Sequence, residues 1–308
     1  MPNKLLLLTN DNQHYRELLN HCHLPDIQIM DDSPACITQA NIWLAEPALA
    51  APLVGHGRQL QWLQSTFAGV DKLTGQRQRR DYHLTNIKGI FGPLMSEYLF
   101  GYLLSHYREH QHYHQQQQQK IWQPRSFISL QKQLLLLLGT GSIAQHIAKT
   151  AKHFGMHVTG INQHGTAVAG FDVVDSISQL DKHLSIANCV VSVLPSTPAT
   201  AGLLNQDRLS LLQDDVVLFN LGRGNVLDLS ALTSQLQQKP KQYAVLDVFN
   251  QEPLAADLPI WECANATITP HIAAPSFPEQ VVEIFCDNYK RWHQQQPLES
   301  VVDFDKGY

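Results

Sequence analysis

Along this chain, short runs of apolar residues alternate with longer stretches in which apolar residues recur every three or four positions. The first runs, Lys4–Thr9, Asn41–Ala45 and Leu60–Thr66, read as strands, with helices between them in the polar stretch after Asp11 and in Pro47–Gly55. From Pro93 a helical pattern runs through Tyr98, Leu99, Tyr102 and Leu103 and turns polar from His106 to Lys120. A clearer alternation begins at Leu134. Its strands are Leu134–Gly139, His157–Ile161, Asn188–Leu194, Val216–Leu221, Tyr243–Phe249 and Ala266–Pro270, and its helices are Ser142–Phe154, Ser178–Leu184, Gln206–Leu212 and Ser230–Gln238. Glu279–Gln296 then reads as a long amphipathic helix and Val301–Asp305 as a final strand. Strands alternating with helices predict parallel sheets. Six such strands in the second half predict a doubly wound sheet. If the tail returns to the first domain, the second is inserted into it.

Composition narrows the class. The 308 residues, 44% hydrophobic and 16% charged, describe a folded chain of two domains at roughly 100–200 residues each. A formal charge of −5 offers no electrostatic case for a nucleic-acid partner. Every apolar run is shorter than the roughly 20 residues that span a bilayer, and Leu5–Leu8 is too short for a signal peptide. Five scattered cysteines with no CxxC pair fit reduced thiols in the cytoplasm. His106, His110 and His114 would share one face of a continuous helix and could ligate a metal there. No acidic or cysteine ligand accompanies them, so a solvated helix end is the simpler expectation and no metal site is expected.

The strongest local motif lies at Leu134–Met156. Gly139, Gly141 and Ala144 fill a G-x-G-x-x-A pattern between a strand and a helix. The first glycine permits the tight turn, the second lets backbone approach a pyrophosphate, and the alanine allows close helix–strand packing. The helix start at Ser142 and Ile143 supplies N–H groups and positive potential, so Gly139, Thr140, Gly141, Ser142 and Ile143 are expected to cradle a dinucleotide. An acid on the ribose hydroxyls is expected about 20 residues on. Asn162 stands there, followed by Gln163 and His164. Asparagine removes the carboxylate that would repel a 2′-phosphate, which favours NADP(H) and leaves NAD(H) possible.

Three further segments, Asn220–Asp228, Leu246–Leu254 and Thr269–Ser276, bring Arg223, Glu252 and His271 just beyond strand ends, where doubly wound sheets bind ligands. Arginine can clamp a carboxylate in two parallel hydrogen bonds, and the glycines beside Arg223 would let backbone bend around a ligand. A histidine near a carboxylate can cycle between acid and base. These segments, with Ser192–Asn205, Ala68–Leu73, Thr85–Tyr98, Trp122 and the terminal DKGY, resemble the D-isomer-specific 2-hydroxyacid dehydrogenases over nearly the whole chain. The spacing from Arg223 to His271 and the short tail look most like the glyoxylate/hydroxypyruvate reductase branch.

The resemblance implies an α/β protein of two domains, each a doubly wound parallel sheet: a flavodoxin-like substrate domain (1–96 and 279–308) and a Rossmann cofactor domain (97–278). It implies reduction of a small 2-oxo acid at C2. His271 would donate the proton, Glu252 would hydrogen-bond its imidazole, and Arg223 would bind the carboxylate and polarise the carbonyl. Ala68, Gly69 and Val70 would hold the other carboxylate oxygen from the opposite domain, and Trp122 would lie near the substrate, which in some relatives is reached by a partner subunit. Further cofactor contacts would come from Leu194, Pro195, Ser196, Thr200, Leu221, Gly222, Ala273 and Asp247, the last touching the nicotinamide carboxamide. A homodimer is expected on the same ground. The alternatives are a bulkier or phosphorylated 2-hydroxy acid, for which Lys72 and Arg77–Arg80 are the basic candidates, and a dinucleotide-sensing binding protein.

Overall fold

The computed structural model describes residues 2–30, 33–75 and 78–307. In chain order the elements are β1 (Asn3–Leu8), α1 (Asn12–His21), β2 (Ile27–Ile29), α2 (Pro34–Gln39), β3 (Ile42–Ala45), α3 (Pro47–Ala50), β4 (Trp62–Ser65), α4 (Asp71–Thr74) and β5 (His83–Thr85). They continue with α5 (Phe91–Tyr107), α6 (His110–Gln119), β6 (Leu134–Leu138), α7 (Ser142–His153), β7 (His157–Asn162), β8 (Val173–Ser176), α8 (Leu180–Leu184) and β9 (Cys189–Ser192). The chain closes with α9 (Gln206–Ser210), β10 (Val217–Asn220), α10 (Leu229–Gln238), β11 (Tyr243–Leu246), β12 (Ala266–Ile268) and α11 (Pro278–His293).

Two compact units result, Met1–Ile90 with Pro275–Tyr308, and Phe91–Ala274. The first is built on a parallel sheet of order β2-β1-β3-β4-β5, the flavodoxin-like order. Its β1, β3 and β4 are buried on both faces, as strands under helices must be. Helix α11 packs on α1, and Trp62 stacks on Phe285 at 5.2 Å. The joint expected at 96/97 falls inside α5, whose Leu99 and Leu103 bury against Ala144, Ile147 and Ala148 of α7, so the whole helix goes with the second unit.

The second unit is a parallel sheet of order β12-β11-β10-β9-β6-β7-β8. The order reverses between β6 and β9, which opens a crevice at their C-terminal ends. The five leucines of β6 show how one residue type serves both faces. Leu136 and Leu138 join the core with Val190 and Leu218, whereas Leu135 and Leu137 join the opposite core with Val191 and Phe219, as the two-residue strand period requires.

The structure differs from the sequence reading at the sheet margins. Strands β2 and β8 are short and only partly buried, so neither shows a continuous apolar run. Val301–Asp305 forms no strand beyond a single antiparallel bridge from Val301 to Thr85. The expected continuous helix through the histidines breaks where Glu109 turns left-handed (φ 57°). His106 therefore lies on α5 and stacks on Tyr243 at 4.4 Å, whereas His110 and His114 lie on α6. Among the described residues no group of three or more His, Cys, Asp or Glu side chains gathers to hold a metal ion. No helix among them is long and apolar enough to cross a membrane.

Candidate active site

The loops that carry the predicted chemistry leave the C-terminal ends of β6, β7, β9, β10, β11 and β12. After β6, Gly139 adopts φ +103°, open to glycine but strained for other residues, and its N–H bonds Ile161 O at 2.9 Å. Gly141 caps α7 without any side-chain cap bond, and a Cβ there would meet nothing within 4 Å. The first turn of α7, with Ser142 and Ile143, thus faces open space with helix N–H groups that have no intrahelical partner. Ala144 is fully buried. Gly139, Thr140, Gly141, Ser142 and Ile143 fit the pyrophosphate of a dinucleotide on these grounds.

At the end of β7, Asn162 turns its amide onto its own loop. Nδ2 donates to Thr166 O at 2.8 Å and Thr140 Oγ1 at 3.2 Å, and Oδ1 accepts from His164 N and Thr166 N. The turn leaves Gln163 and His164 as exposed side chains. After β9, Thr200 Oγ1 donates to Pro195 O at 2.6 Å and accepts from Thr197 N, closing the loop in which Leu194, Pro195 and Ser196 are half-buried. After β10, Leu221 is buried and bonds Ser192 O. A Cβ on Gly222 would lie 2.5 Å from Leu194 O, and one on Gly224 only 2.0 Å from Phe249 C. The glycines beside Arg223 are therefore required by close backbone approach on both sides rather than by a bend around ligand. Arg223 is half-buried and donates through Nη1 to Gly222 O at 2.9 Å.

The last two loops form one structure. Glu252 Oε1 accepts from Phe249 N at 2.9 Å, which fixes the carboxyl group, and Oε2 lies 2.9 Å from His271 Nδ1. A carboxylate only accepts, so Nδ1 carries the hydrogen and Nε2 is left for other chemistry. Both side chains keep access to solvent, 51% for His271 and 38% for Glu252. His271 itself is left-handed at φ +55°, and its N–H bonds Asp247 O at 2.9 Å. Asp247, 1% exposed, takes Thr269 Oγ1 and Ile272 N on Oδ1 and Ala273 N on Oδ2. Thr269 in turn meets the Tyr98 hydroxyl of α5. Sequence reasoning overlooked Tyr98 and Thr269 as site residues, since nothing in a linear pattern joins positions 171 apart.

Arg223, Glu252 and His271 thus hang from three neighbouring strands, β10, β11 and β12. In the first unit, Ala68 O accepts from Asn86 Nδ2 at 2.7 Å, Gly69 follows half-buried, and Val70 is buried at the start of α4. Trp122 is 99% exposed. Of the basic candidates for a phosphate, Arg79 is bonded to Asp81 and Gly57 O and Arg80 to Asp305, while Arg77 lies outside the described residues.

The NAD-binding domain of the D-isomer specific 2-hydroxyacid dehydrogenases matches residues 100–273. A D-isomer specific 2-hydroxyacid dehydrogenase family protein from Aeromonas salmonicida is 48% identical, with 99% of this chain and 100% of that one covered at a TM-score of 0.93. A probable 2-hydroxyacid dehydrogenase from Rhizobium etli, solved with NADP, HEPES and L(+)-tartaric acid, is 25% identical over 100% and 99% of the two chains at TM-score 0.86. An NADPH-dependent glyoxylate/hydroxypyruvate reductase from Sinorhizobium meliloti, solved with NADP and sulfate, shares the fold at 24% identity, TM-score 0.88, over 99% and 100% of the chains. With its nucleotide loop, its histidine–carboxylate pair and these matches over its whole length, the chain belongs to the D-isomer specific 2-hydroxyacid dehydrogenases and is an NAD(P)-dependent oxidoreductase.

Proposed function

We propose that the protein reduces a small 2-oxo acid of the glyoxylate or hydroxypyruvate type to the D-2-hydroxy acid, with NADP(H) favoured over NAD(H). The observation that carries the reading is the His271–Glu252 contact at 2.9 Å, set beside Arg223 at the C-terminal edge of the sheet. The dinucleotide, held by residues 139–143 and the loops after β7 and β9, supplies a hydride when bound. Arg223 binds the substrate carboxylate through its guanidinium fork and draws charge onto the carbonyl oxygen. Protonated His271 gives its Nε2 hydrogen to the oxygen on C2. An O–H bond forms, the N–H bond breaks, and the ring is left neutral, its Nδ1–H still donating to Glu252. Glu252 keeps the ring oriented throughout, because its own carboxyl group is fixed by Phe249 N.

Two observations favour NADP(H). Asn162 brings no carboxylate to the ribose, and the Rhizobium etli relative binds NADP. Asp247 Oδ2, with one bond to Ala273 N, retains a lone pair for a carboxamide. The proposal extends to a homodimer in the cytoplasm. Segment 120–129 exposes Ile121, Trp122, Phe127 and Ile128, an apolar strip that a second copy would cover, and Trp122 would reach that copy's substrate. Five free thiols fit the compartment.

The test is oxidation of NADPH and NADH in parallel against glyoxylate, hydroxypyruvate, pyruvate and a bulkier 2-oxo acid, with His271→Ala alongside. NADPH consumption with the two smallest hydroxylated or aldehydic acids is expected, together with a fall of about 10²–10⁴ in kcat for the variant while cofactor binding survives. Full turnover by His271→Ala would remove the histidine from the mechanism.

A further inference from the structure

The loop that carries His271 is held by hydroxyl groups that the reaction above does not use. Thr269 Oγ1 lies 2.6 Å from Asp247 Oδ1 and 2.5 Å from the Tyr98 hydroxyl oxygen. The direction of these bonds follows from the acceptor. A carboxylate oxygen takes a hydrogen and has none to give, so Thr269 donates to Asp247, and its remaining lone pairs receive the Tyr98 O–H. Two O–H dipoles therefore point the same way, from α5 through Thr269 into the buried carboxylate, and such a chain strengthens each of its links. At its far end, Asp247 grips Ile272 N and Ala273 N, the two residues after His271. His271 has φ +55°, a conformation that a residue with a Cβ holds only when its surroundings impose it.

We propose that Tyr98 and Thr269 are positioning residues for the acid/base histidine: their hydroxyls act through Asp247 to hold residues 271–273 in the left-handed turn that sets His271 against Glu252. The inference rests on the reading of His271 as the acid. Helix α5 is a firm anchor for such a strut. It packs along α7 through Leu99 and Leu103, one and five positions beyond Tyr98, and the Tyr98 ring lies 4.7 Å from that of Tyr102. Burial, with the charge of Asp247 adding to it, pushes the Tyr98 phenol well above its ordinary value, so it stays a donor at any working pH. The strut also orders the consequences of breaking it. Thr269 touches Asp247 directly and Tyr98 acts only through Thr269, so loss of the first must include loss of the second.

The experiment compares wild type with Tyr98→Phe, Thr269→Val, Thr269→Ser and the Tyr98→Phe/Thr269→Val double variant. The readouts are kcat and KM for NADPH-linked glyoxylate reduction across pH, thermal melting, and the His271 Nδ1–H resonance in ¹⁵N-histidine-labelled protein. Thr269→Val is expected to lower kcat about 10- to 100-fold with the KM for NADPH within about twofold, to move the pH profile and to displace the resonance. Tyr98→Phe is expected to cost about three- to tenfold, and Thr269→Ser, which keeps the oxygen, to stay within about twofold of wild type. The double variant should be no worse than Thr269→Val alone. The proposal is overturned if Thr269→Ser falls as far as Thr269→Val, if the two single effects multiply, or if melting alone changes while kcat, pH profile and resonance stay put. Should Thr269→Val fail to fold, Tyr98→Phe alone decides by the same readouts. His271→Gln separates the two readings. If it keeps full turnover, the acid reading falls and the proposal with it. If it is inactive while the hydroxyl variants leave kcat and resonance unchanged, the proposal falls alone.

Discussion

His271 and His106 belong to the same unit and stand at opposite ends of its sheet. His271 follows β12 at the C-terminal end, half exposed, with Glu252 on one ring nitrogen and a backbone held by Asp247. His106 stacks on Tyr243, the first residue of β11, at the N-terminal end, and burial pushes its imidazole below the ordinary value of 6.5 against the opposing charge of Glu109. One environment holds the ring by a carboxylate and leaves its other edge open, and the other buries the ring and discourages a proton on it. A histidine becomes useful for proton transfer where a carboxylate orients it and solvent or substrate reaches the free nitrogen. Packed against an aromatic face it is an apolar filler with a polar edge. The two ends of a parallel sheet differ for the same reason, since backbone amides and helix N-termini converge only at the C-terminal ends of the strands.

That contrast can be attacked from either side. The largest effect is expected from Asp247→Ala, which strands Ile272 N, Ala273 N and the Thr269 hydroxyl in a buried site. Stability should fall by about 3 kcal/mol and kcat by roughly 10³, read by melting and steady-state kinetics. A surviving kcat would mean that the carboxylate is not what sets His271 apart. Gly224→Ala comes next. Its Cβ would drive into the backbone at Phe249 and Asn250, parting the Arg223 loop from the Glu252 turn, at about 2 kcal/mol of stability and with a larger loss in kcat/KM than in melting temperature. In the neighbouring loop, Asn162→Asp should move the NADPH-to-NADH ratio of kcat/KM about tenfold towards NADH, because a carboxylate at the end of β7 would repel the 2′-phosphate of a bound NADPH. An unchanged ratio would show that the exposed Gln163 and His164 set the choice.

The smallest effect belongs to His106→Phe. Because the folded-state pKa of His106 is lowered, its stabilising contribution is complete above 6.5 and is lost as pH falls through the depressed value. The variant should therefore gain slightly on wild type between pH 8 and pH 5 in melting experiments, with kcat within about twofold. A large loss of kcat in His106→Phe would erase the distinction between the two histidines.

Much of this was readable in the chain. The leucine run of β6 followed by Gly139, Gly141 and Ala144 announces a strand, a turn and a helix start, because glycine conformations and two-residue strand periods are local properties. Arg223, Glu252 and His271 were legible as a set through their places after successive strands. Strands β2 and β8 were not, being short edge strands half open to solvent and lacking the apolar run that burial on two faces imposes. The break at Glu109 escaped notice because the polar residues around it are all compatible with helix.

By itself the sequence determined most of the buried strands and their intervening helices, the parallel character of the sheets, the glycine-rich turn after β6 and the three residues named for the candidate site. Those follow from local backbone preference and from the spacing of apolar side chains. Tertiary structure alone decided that His106 and His114 lie on separate helices, that the glycines beside Arg223 answer to Leu194 and Phe249, and that a tyrosine on α5 reaches the loop of His271. The last two depend on groups distant in sequence meeting at hydrogen-bond or contact range, and only the packed sheet, with α5 against α7, brings them there; the first depends on the left-handed turn at Glu109.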